Sequence, residues 1–300
     1  MSFERIAIIG LGLLGGSLGL AIQRQLPTAT TLGYDADPAV RDTARARGLV
    51  ANVCDDAAAA VAEADLVLLC VPVGAMGAVA AGLAPHLRPE TLVSDVGSCK
   101  ASVTAALQAA LPGQPVIPAH PVAGTERSGP EAGFASLFEG RWCILTPPAG
   151  ADPELVQRLS TFWETLGSTA EVMSPEHHDL VLAITSHLPH LIAYTIVGTA
   201  SDMEEVTRSE VIKYSAGGFR DFTRIAASDP TMWRDVFLNN REAVLEMLGR
   251  FSEDLAALQR AIRWGDGDAL FDLFTRTRDI RRGIVEEGQD EDTPDFGRKH

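Results

Sequence analysis

Basic residues are in short supply: 25 Lys and Arg stand against 40 Asp and Glu, a net charge of −15 over 300 residues. So acidic a surface repels phosphate backbones and anionic lipid headgroups, so neither nucleic acid nor a membrane is an expected partner. Cysteine is scarcer still. Cys54, Cys70, Cys99 and Cys143 lie far apart and form no CxxC pair. That argues against a disulfide framework or a zinc site, and it fits a reducing cytoplasm. A long apolar leader is missing too, since Met1-Ser2-Phe3-Glu4-Arg5 runs straight into Ile6-Ala7-Ile8-Ile9. One stretch, between Asp179 and Asp202, holds 22 residues without Asp, Glu, Lys or Arg. It is long enough to span a membrane. His187, Pro189, His190 and several threonines would be costly in lipid, so a buried helix of a soluble core is the better reading.

What the chain has in quantity is apolar residues, 46% of the total, with 27 Gly. The first half alternates short apolar runs with Ala-rich segments of helical length. Ile6–Ile9, Thr31–Tyr34, Leu66–Val71, Leu92–Asp95 and Val116–Ala119 read as strands. Leu13–Gln25, Pro38–Arg47, Gly74–Leu83 and Lys100–Leu111 read as the helices between them. That alternation predicts a doubly wound parallel sheet, an α/β fold of Rossmann type. A further unit follows, with Trp142–Thr146 as strand, Pro153–Leu166 as helix and Thr169–Met173 as strand. After Met173 the strand signals stop. Pro175–Ala200, Met203–Tyr214, Pro230–Arg263 and Gly267–Glu287 read as long helices, with a break at Trp264-Gly265-Asp266-Gly267. The expected domains are therefore 1–173 for a dinucleotide and 174–287 for an all-helical dimerisation domain. An acidic, solvated tail over 288–300 follows, with six acids between Glu286 and Asp295.

Gly10-Leu11-Gly12-Leu13-Leu14-Gly15 follows the first strand and opens a helix. Gly10 permits the tight turn, Gly12 lets a pyrophosphate reach the backbone, and Gly15 lets helix and strand pack closely. The free N–H groups of the first turn, at Leu13 and Leu14, face the phosphates. Asp35 ends the second strand, where a carboxylate accepts hydrogen bonds from ribose hydroxyls and repels a 2′-phosphate. That favours NAD; Arg41 nearby keeps NADP open.

Two strand ends carry polar residues suited to a substrate. In Ser94-Asp95-Val96-Gly97-Ser98-Cys99-Lys100 a strand ends in small polar residues. In Pro118-Ala119-His120-Pro121 a histidine leaves a strand end into a Pro/Gly-rich loop. An imidazole beside a nicotinamide suits a proton acceptor, with Ser98 to orient it. His187 and His190 sit at i and i+3 and share one helix face. A metal pair or two core histidines are the alternatives, and no third metal ligand is evident. Arg220 and Arg224 flank Asp221 beside a Gly-Gly turn. They suit carboxylate binding, or ion pairing with Asp221, Asp229 or Asp235.

GLGLLGGSLG, DVGSCK, HPVAGTERSG, TSHLPH and GGFRDFTRIAASDPTMWRDVF, in that order, resemble the prephenate/arogenate (cyclohexadienyl) dehydrogenases of tyrosine biosynthesis. The resemblance runs from Ile6 to about Arg282. It implies oxidative decarboxylation of prephenate to 4-hydroxyphenylpyruvate, with NAD taking a hydride from ring C4. Arogenate, with an amine in place of the keto group, is the alternative substrate. It also implies an intertwined homodimer. His120 matches the catalytic histidine and Ser98 the serine that positions it. Arg224 matches a carboxylate ligand, and Arg220 with His190 falls at the side-chain end. His187 supports the site or cofactor, Thr125, Glu126 and Trp233 line the pocket entrance, and Val71 and Pro72 lie against the cofactor. After Arg282 too little chain remains for a small regulatory fold, so any feedback by tyrosine is expected to act at the active site.

Two other functions are alternatives. A 3-hydroxyacid dehydrogenase or imine reductase likewise joins a nucleotide domain to a helical one; the hydroxyacid class depends on a helical lysine, but Lys213 is the only lysine between Lys100 and Lys299 and its setting does not match. A non-catalytic NAD sensor would need none of His120, Ser98 or the arginine pair. The net charge does not exclude an anionic substrate. From Arg208 to Arg241 six basic residues (Arg208, Lys213, Arg220, Arg224, Arg234, Arg241) outnumber four acidic ones (Glu210, Asp221, Asp229, Asp235).

Overall fold

Why the sheet is covered on both faces is visible in its central strands. β1 (Arg5–Ile9) and β4 (Leu66–Leu69) are apolar at nearly every position. Ile6, Ile8, Leu66 and Leu68 point into one core cluster with Leu18, Ile22 and Leu49. Ala7, Ile9, Val67 and Leu69 point into another with Met76, Val103 and Leu107. Side chains alternate along a strand, so an unbroken apolar run requires helices on both sides. In the computed structural model, which describes residues 3–125, 127–202, 210, 213 and 217–284, those helices are present. The chain divides into two compact units, Met1–Leu245 and Glu246–His300.

In the first unit β2 (Thr30–Tyr34), β3 (Asn52–Val53) and β5 (Leu92–Asp95) complete a parallel sheet of order β3-β2-β1-β4-β5. α1 (Leu13–Gln25), α2 (Pro38–Arg47), α3 (Ala57–Val61), α4 (Met76–Leu83) and α5 (Ala101–Ala110) connect the strands. The order reverses between β1 and β4, so the loops after these strands open on one edge, where such sheets bind ligands. A smaller sheet follows: β6 (Ala119–Pro121) pairs antiparallel with β7 (Trp142–Leu145), and β7 parallel with β8 (Thr169–Val172), beyond α6 (Pro153–Thr165).

Helix starts follow one recipe. Asp37, Asp152, Ser174 and Asp229 each accept a backbone N–H of the first turn, and each is followed by proline. Proline at the first helical position gives up an N–H that has no partner there anyway. The last two begin α7 (Pro175–Leu182) and α10 (Pro230–Asn239). α7 continues through a π turn, Ala183–His187, into α8 (Leu188–Ser201). Pro189 has no N–H to donate to the Thr185 carbonyl, which accounts for the wider turn. α9 (Gly217–Thr223) precedes α10, and α11 (Arg241–Trp264) follows it.

Four expectations need correction. The strand expected over Val116–Ala119 is shifted. Pro115 and Pro118 lack the N–H a ladder needs, so Val116 makes a single bridge to Val93 and the strand forms at Ala119–Pro121. His120 therefore lies within a strand, opposite Ile144. The helix expected over Pro230–Arg263 breaks at Asn240. β3 and α3 carried no recognised signal. The run Pro175–Ser201 is also far from buried: it is long and apolar enough to cross a membrane by length and composition, yet Leu180, Ile184, Ile196 and Val197 are exposed. The helix expected over 203–214 falls largely outside the described residues, as do Glu126 and the acidic tail.

The second unit holds the remainder of α11 and α12 (Gly267–Ile284), joined through Gly265 at φ +69°. Leu255, Ile262, Trp264, Phe271, Phe274 and Ile280 are exposed there.

Candidate active site

Strand ends β1, β2, β4 and β5 supply the loop edge. At β1, Gly10 has φ +98°, and a Cβ there would lie 2.5 Å from the Cys70 carbonyl oxygen. A Cβ on Gly15 would lie 1.9 Å from the Gly10 carbonyl oxygen. Gly12 is different: a Cβ would meet nothing within 4 Å. The turn and the helix packing therefore need Gly10 and Gly15, whereas Gly12 leaves open space in front of α1. No side chain caps α1, so its first N–H groups and positive dipole end remain for an anion. This cradle fits a pyrophosphate.

Asp35, at the end of β2, accepts the Leu11 N–H at 2.8 Å and the Asp37 N–H at 2.9 Å. Its carboxylate is thereby held beside the cradle. Arg41 is committed elsewhere, donating to the Asp35 and Ala36 carbonyls and lying 3.6 Å from Asp55. Val71 and Pro72 follow β4 on the same edge. The loop after β6 docks on α1, where the Ser17 hydroxyl accepts the Phe134 N–H at 3.1 Å. Thr125 in that loop is exposed and accepts the Arg127 N–H.

Beneath β5 and β6 lies a buried ion pair. Lys100 Nζ donates to Asp95 at 2.5 Å and to the Ala119 carbonyl at 2.8 Å, with both ionic side chains fully buried. Burial pushes the Asp95 carboxyl up, against the pull of Lys100. The pair ties β5 to the strand that carries His120. Ser98, half-buried, lies in the loop after β5 beside Cys99, whose buried thiol donates to the Val236 carbonyl at 3.5 Å.

His120 is buried. Its Nδ1 lies 2.8 Å from His178 Nε2, and His178 Nδ1 lies 2.8 Å from Asp179 Oδ1. Burial, with His178, Lys100 and His187 nearby, holds the His120 pKa well below its ordinary value. Its imidazole is therefore neutral, as a proton acceptor must be. His187 and His190 meet the same ring. Trp233 stacks on His190 at 3.6 Å between centroids and meets His187 edge-on at 6.0 Å. Burial lowers the His187 pKa to about 4. It also lowers that of His190, with a smaller push from the Arg224 charge, which puts Arg224 within electrostatic reach. Arg220 lies 3.6 Å from Asp221, and its side chain is exposed. Among the described residues no cluster of His, Cys, Asp and Glu could hold a metal ion.

Sequence reasoning singled out His120, His187, His190, Trp233 and Arg224. It missed His178, Asp179, Asn240, Lys100 and Asp95. The signal for the first two was present: an imidazole and an acid adjoin in His177-His178-Asp179 at a capped helix start.

A doubly wound sheet with an anion cradle at its switch point, a carboxylate held beside it and a buried neutral imidazole defines a dinucleotide-dependent dehydrogenase. Residues 18–172 match the family "Prephenate dehydrogenase, nucleotide-binding domain", and residues 174–276 match "Prephenate dehydrogenase, dimerization domain". A cyclohexadienyl dehydrogenase of Zymomonas mobilis is 49% identical over 282 residues, 94% of this chain and 96% of its own. A prephenate dehydrogenase of Bacillus subtilis is 33% identical over 94% of this chain and 76% of its own. Among solved structures, prephenate dehydrogenase from A. aeolicus in complex with hydroxyphenyl propionate and NAD+ superposes with a TM-score of 0.88. It is 34% identical, covering 95% of this chain and 99% of that one. The chain belongs to the prephenate dehydrogenase family.

Proposed function

We propose that this chain catalyses the oxidative decarboxylation of prephenate to 4-hydroxyphenylpyruvate with NAD, the dehydrogenase step of tyrosine biosynthesis. The observation that carries this reading is His120, a buried neutral imidazole on β6 within electrostatic reach of His187. When bound, NAD accepts the hydride from ring C4. His120 Nε2 accepts the hydrogen bond and proton of the 4-hydroxyl as that hydride departs. Arg224 holds a substrate carboxylate, the ring one in our assignment. The C1–carboxylate bond breaks, its electrons enter the ring, and carbon dioxide leaves as the ring becomes aromatic. Ser98 lies on the His120 side, and Arg220, Thr125, Glu126 and His190 are assigned to the side-chain end of the substrate. Asp35 supports NAD over NADP, because its carboxylate stands beside the cradle, held by the Leu11 and Asp37 N–H groups, and Arg41 is occupied by the Asp35 and Ala36 carbonyls.

The division between nucleotide and helical parts falls near Met173, and the helical part assembles a homodimer. The exposed apolar side chains of Pro175–Ser201 then have a partner copy to cover them, in keeping with a cytoplasmic enzyme. Tyrosine, which shares the phenol and side chain of the product class, binds as an active-site inhibitor. The relative from Zymomonas carries the name cyclohexadienyl dehydrogenase, which favours a second reading: arogenate is also oxidised, directly to tyrosine. The test is purified protein with prephenate or arogenate, each with NAD or NADP, following cofactor reduction. Reduction with prephenate and NAD is expected. No reduction of either cofactor with either ring acid overturns the reading.

A further inference from the structure

Behind His120 stands a second imidazole that the reaction just described does not use. Asp179 Oδ1 accepts the Lys100 N–H at 2.7 Å, and Oδ2 accepts the Ala101 N–H at 2.9 Å. The carboxylate is thus locked at the start of α5. It can only accept from His178 Nδ1, 2.8 Å away, so that nitrogen carries the proton. Burial keeps His178 neutral, which leaves its Nε2 with a lone pair. That lone pair faces His120 Nδ1 at 2.8 Å, so His120 Nδ1 must donate. His120 is neutral as well, and its one proton is spent. Its Nε2 is left bare.

A second arm leaves the same residue. Asn240 Nδ2 donates to the Asp179 carbonyl at 2.8 Å, which rules out the flipped amide, because an oxygen there would face an oxygen. The same nitrogen lies 3.1 Å from His187 Nδ1 and donates to it. The proton of neutral His187 is therefore on Nε2, buried and without a partner among the described residues. Residue 179 thus imposes opposite tautomers on two histidines: an acceptor at His120 Nε2 and a donor at His187 Nε2.

We propose that His178 and Asp179 are a positioning relay behind His120, which fixes its Nε2 as acceptor and takes up charge when the substrate hydroxyl gives its proton. This rests on the dehydrogenase reading. The protons balance. The hydroxyl proton goes to His120 Nε2, the His120 Nδ1 proton passes to His178 Nε2, and the positive charge comes to rest on His178 beside the Asp179 carboxylate. His178 Nδ1 keeps its proton throughout. The charged or titratable groups facing this chain are Lys100, Asp95, Asp179 and His187. Protonating His178 from solvent would reverse the chain and turn His120 Nε2 into a donor.

The test uses the full chain labelled with ring-¹⁵N histidine. Two-bond ¹H–¹⁵N correlations near neutral pH should show His120 and His178 protonated at Nδ1 and His187 at Nε2. His120 protonated at Nε2 overturns the proposal. Asp179→Asn removes the carboxylate's charge and leaves an NH2 facing the Lys100 or the Ala101 N–H, so a protonated His178 loses its counter-ion. The variant should lower kcat by up to about 10⁴-fold, the size seen when a triad carboxylate is neutralised, with KM and NAD affinity nearly unchanged. Should that variant fail to fold, a second pair decides. His178→Gln keeps an oxygen to accept from His120 Nδ1 and should turn over faster than His178→Leu. Equal, near wild-type turnover of both variants overturns the relay. Absence of turnover by the unaltered protein would instead remove the dehydrogenase reading, and the tautomers would still be read from the spectra.

Discussion

Gly12 and Gly15 lie three residues apart in one loop, yet alanine should act on them in opposite ways. At Gly12 the backbone has φ −70° and a Cβ meets nothing within 4 Å. Gly12→Ala should therefore leave stability unchanged, or raise it by about 0.4–1 kcal/mol by restricting the unfolded chain. Its methyl instead fills the space a pyrophosphate would occupy. Losing one charge-assisted hydrogen bond to a phosphate costs about 1.5–3 kcal/mol, or roughly 10- to 150-fold in the NAD dissociation constant. At Gly15 the methyl would sit 1.9 Å from the Gly10 carbonyl oxygen, so backbone must move. Overpacking of this kind costs about 1–3 kcal/mol, which lowers Tm by several degrees in a chain of this size. Thermal unfolding without cofactor, paired with NAD titration calorimetry, separates the two. If Gly12→Ala binds NAD as tightly as the parent, or unfolds as early as Gly15→Ala, the cradle argument fails.

Further outcomes follow from the charged and titratable side chains. His187 has its pKa lowered to about 4 from 6.5, so the unfolded chain binds its proton first as pH falls. The stability this gives is complete above pH 6.5 and is lost towards pH 4, about 3 kcal/mol in all. Urea unfolding across that range should show a steeper loss for the parent than for His187→Gln, and identical slopes would contradict the assignment. Lys100→Met leaves Asp95 buried without its partner and should cost about 3–5 kcal/mol; an unchanged urea midpoint would mean the pair is not what ties β5 to β6. Arg224→Ala should raise KM for prephenate by roughly 10- to 150-fold, and an unchanged KM would remove it as a carboxylate ligand.

Local signals were the legible ones. α1 and α2 run over Leu13–Gln25 and Pro38–Arg47 as the sequence indicates, because a glycine loop and an Asp-Pro cap mark their starts and Gly48 ends the second at φ +60°. The break at Asn240 carries no proline or glycine and could not be read. β3 is two residues long, too short for any periodicity to show. The same division holds at the site. Gly12, Asp35 and His120 stand in motifs whose chemistry is contained within a few residues. The contact between His120 and His178 spans 58 residues of chain, and that between Asp179 and Asn240 spans 61. Only the packing of α7 against α5 and of Asn240 beneath it brings those groups together.

The proposed dehydrogenation turns on His120 as its proton acceptor. His120→Asn, assayed for NAD affinity and for turnover of prephenate in the same preparation, measures that claim. NAD binding should be retained while kcat falls by about 10²–10⁴-fold, the range for a positioned acid–base group. Near wild-type turnover by the variant would contradict it.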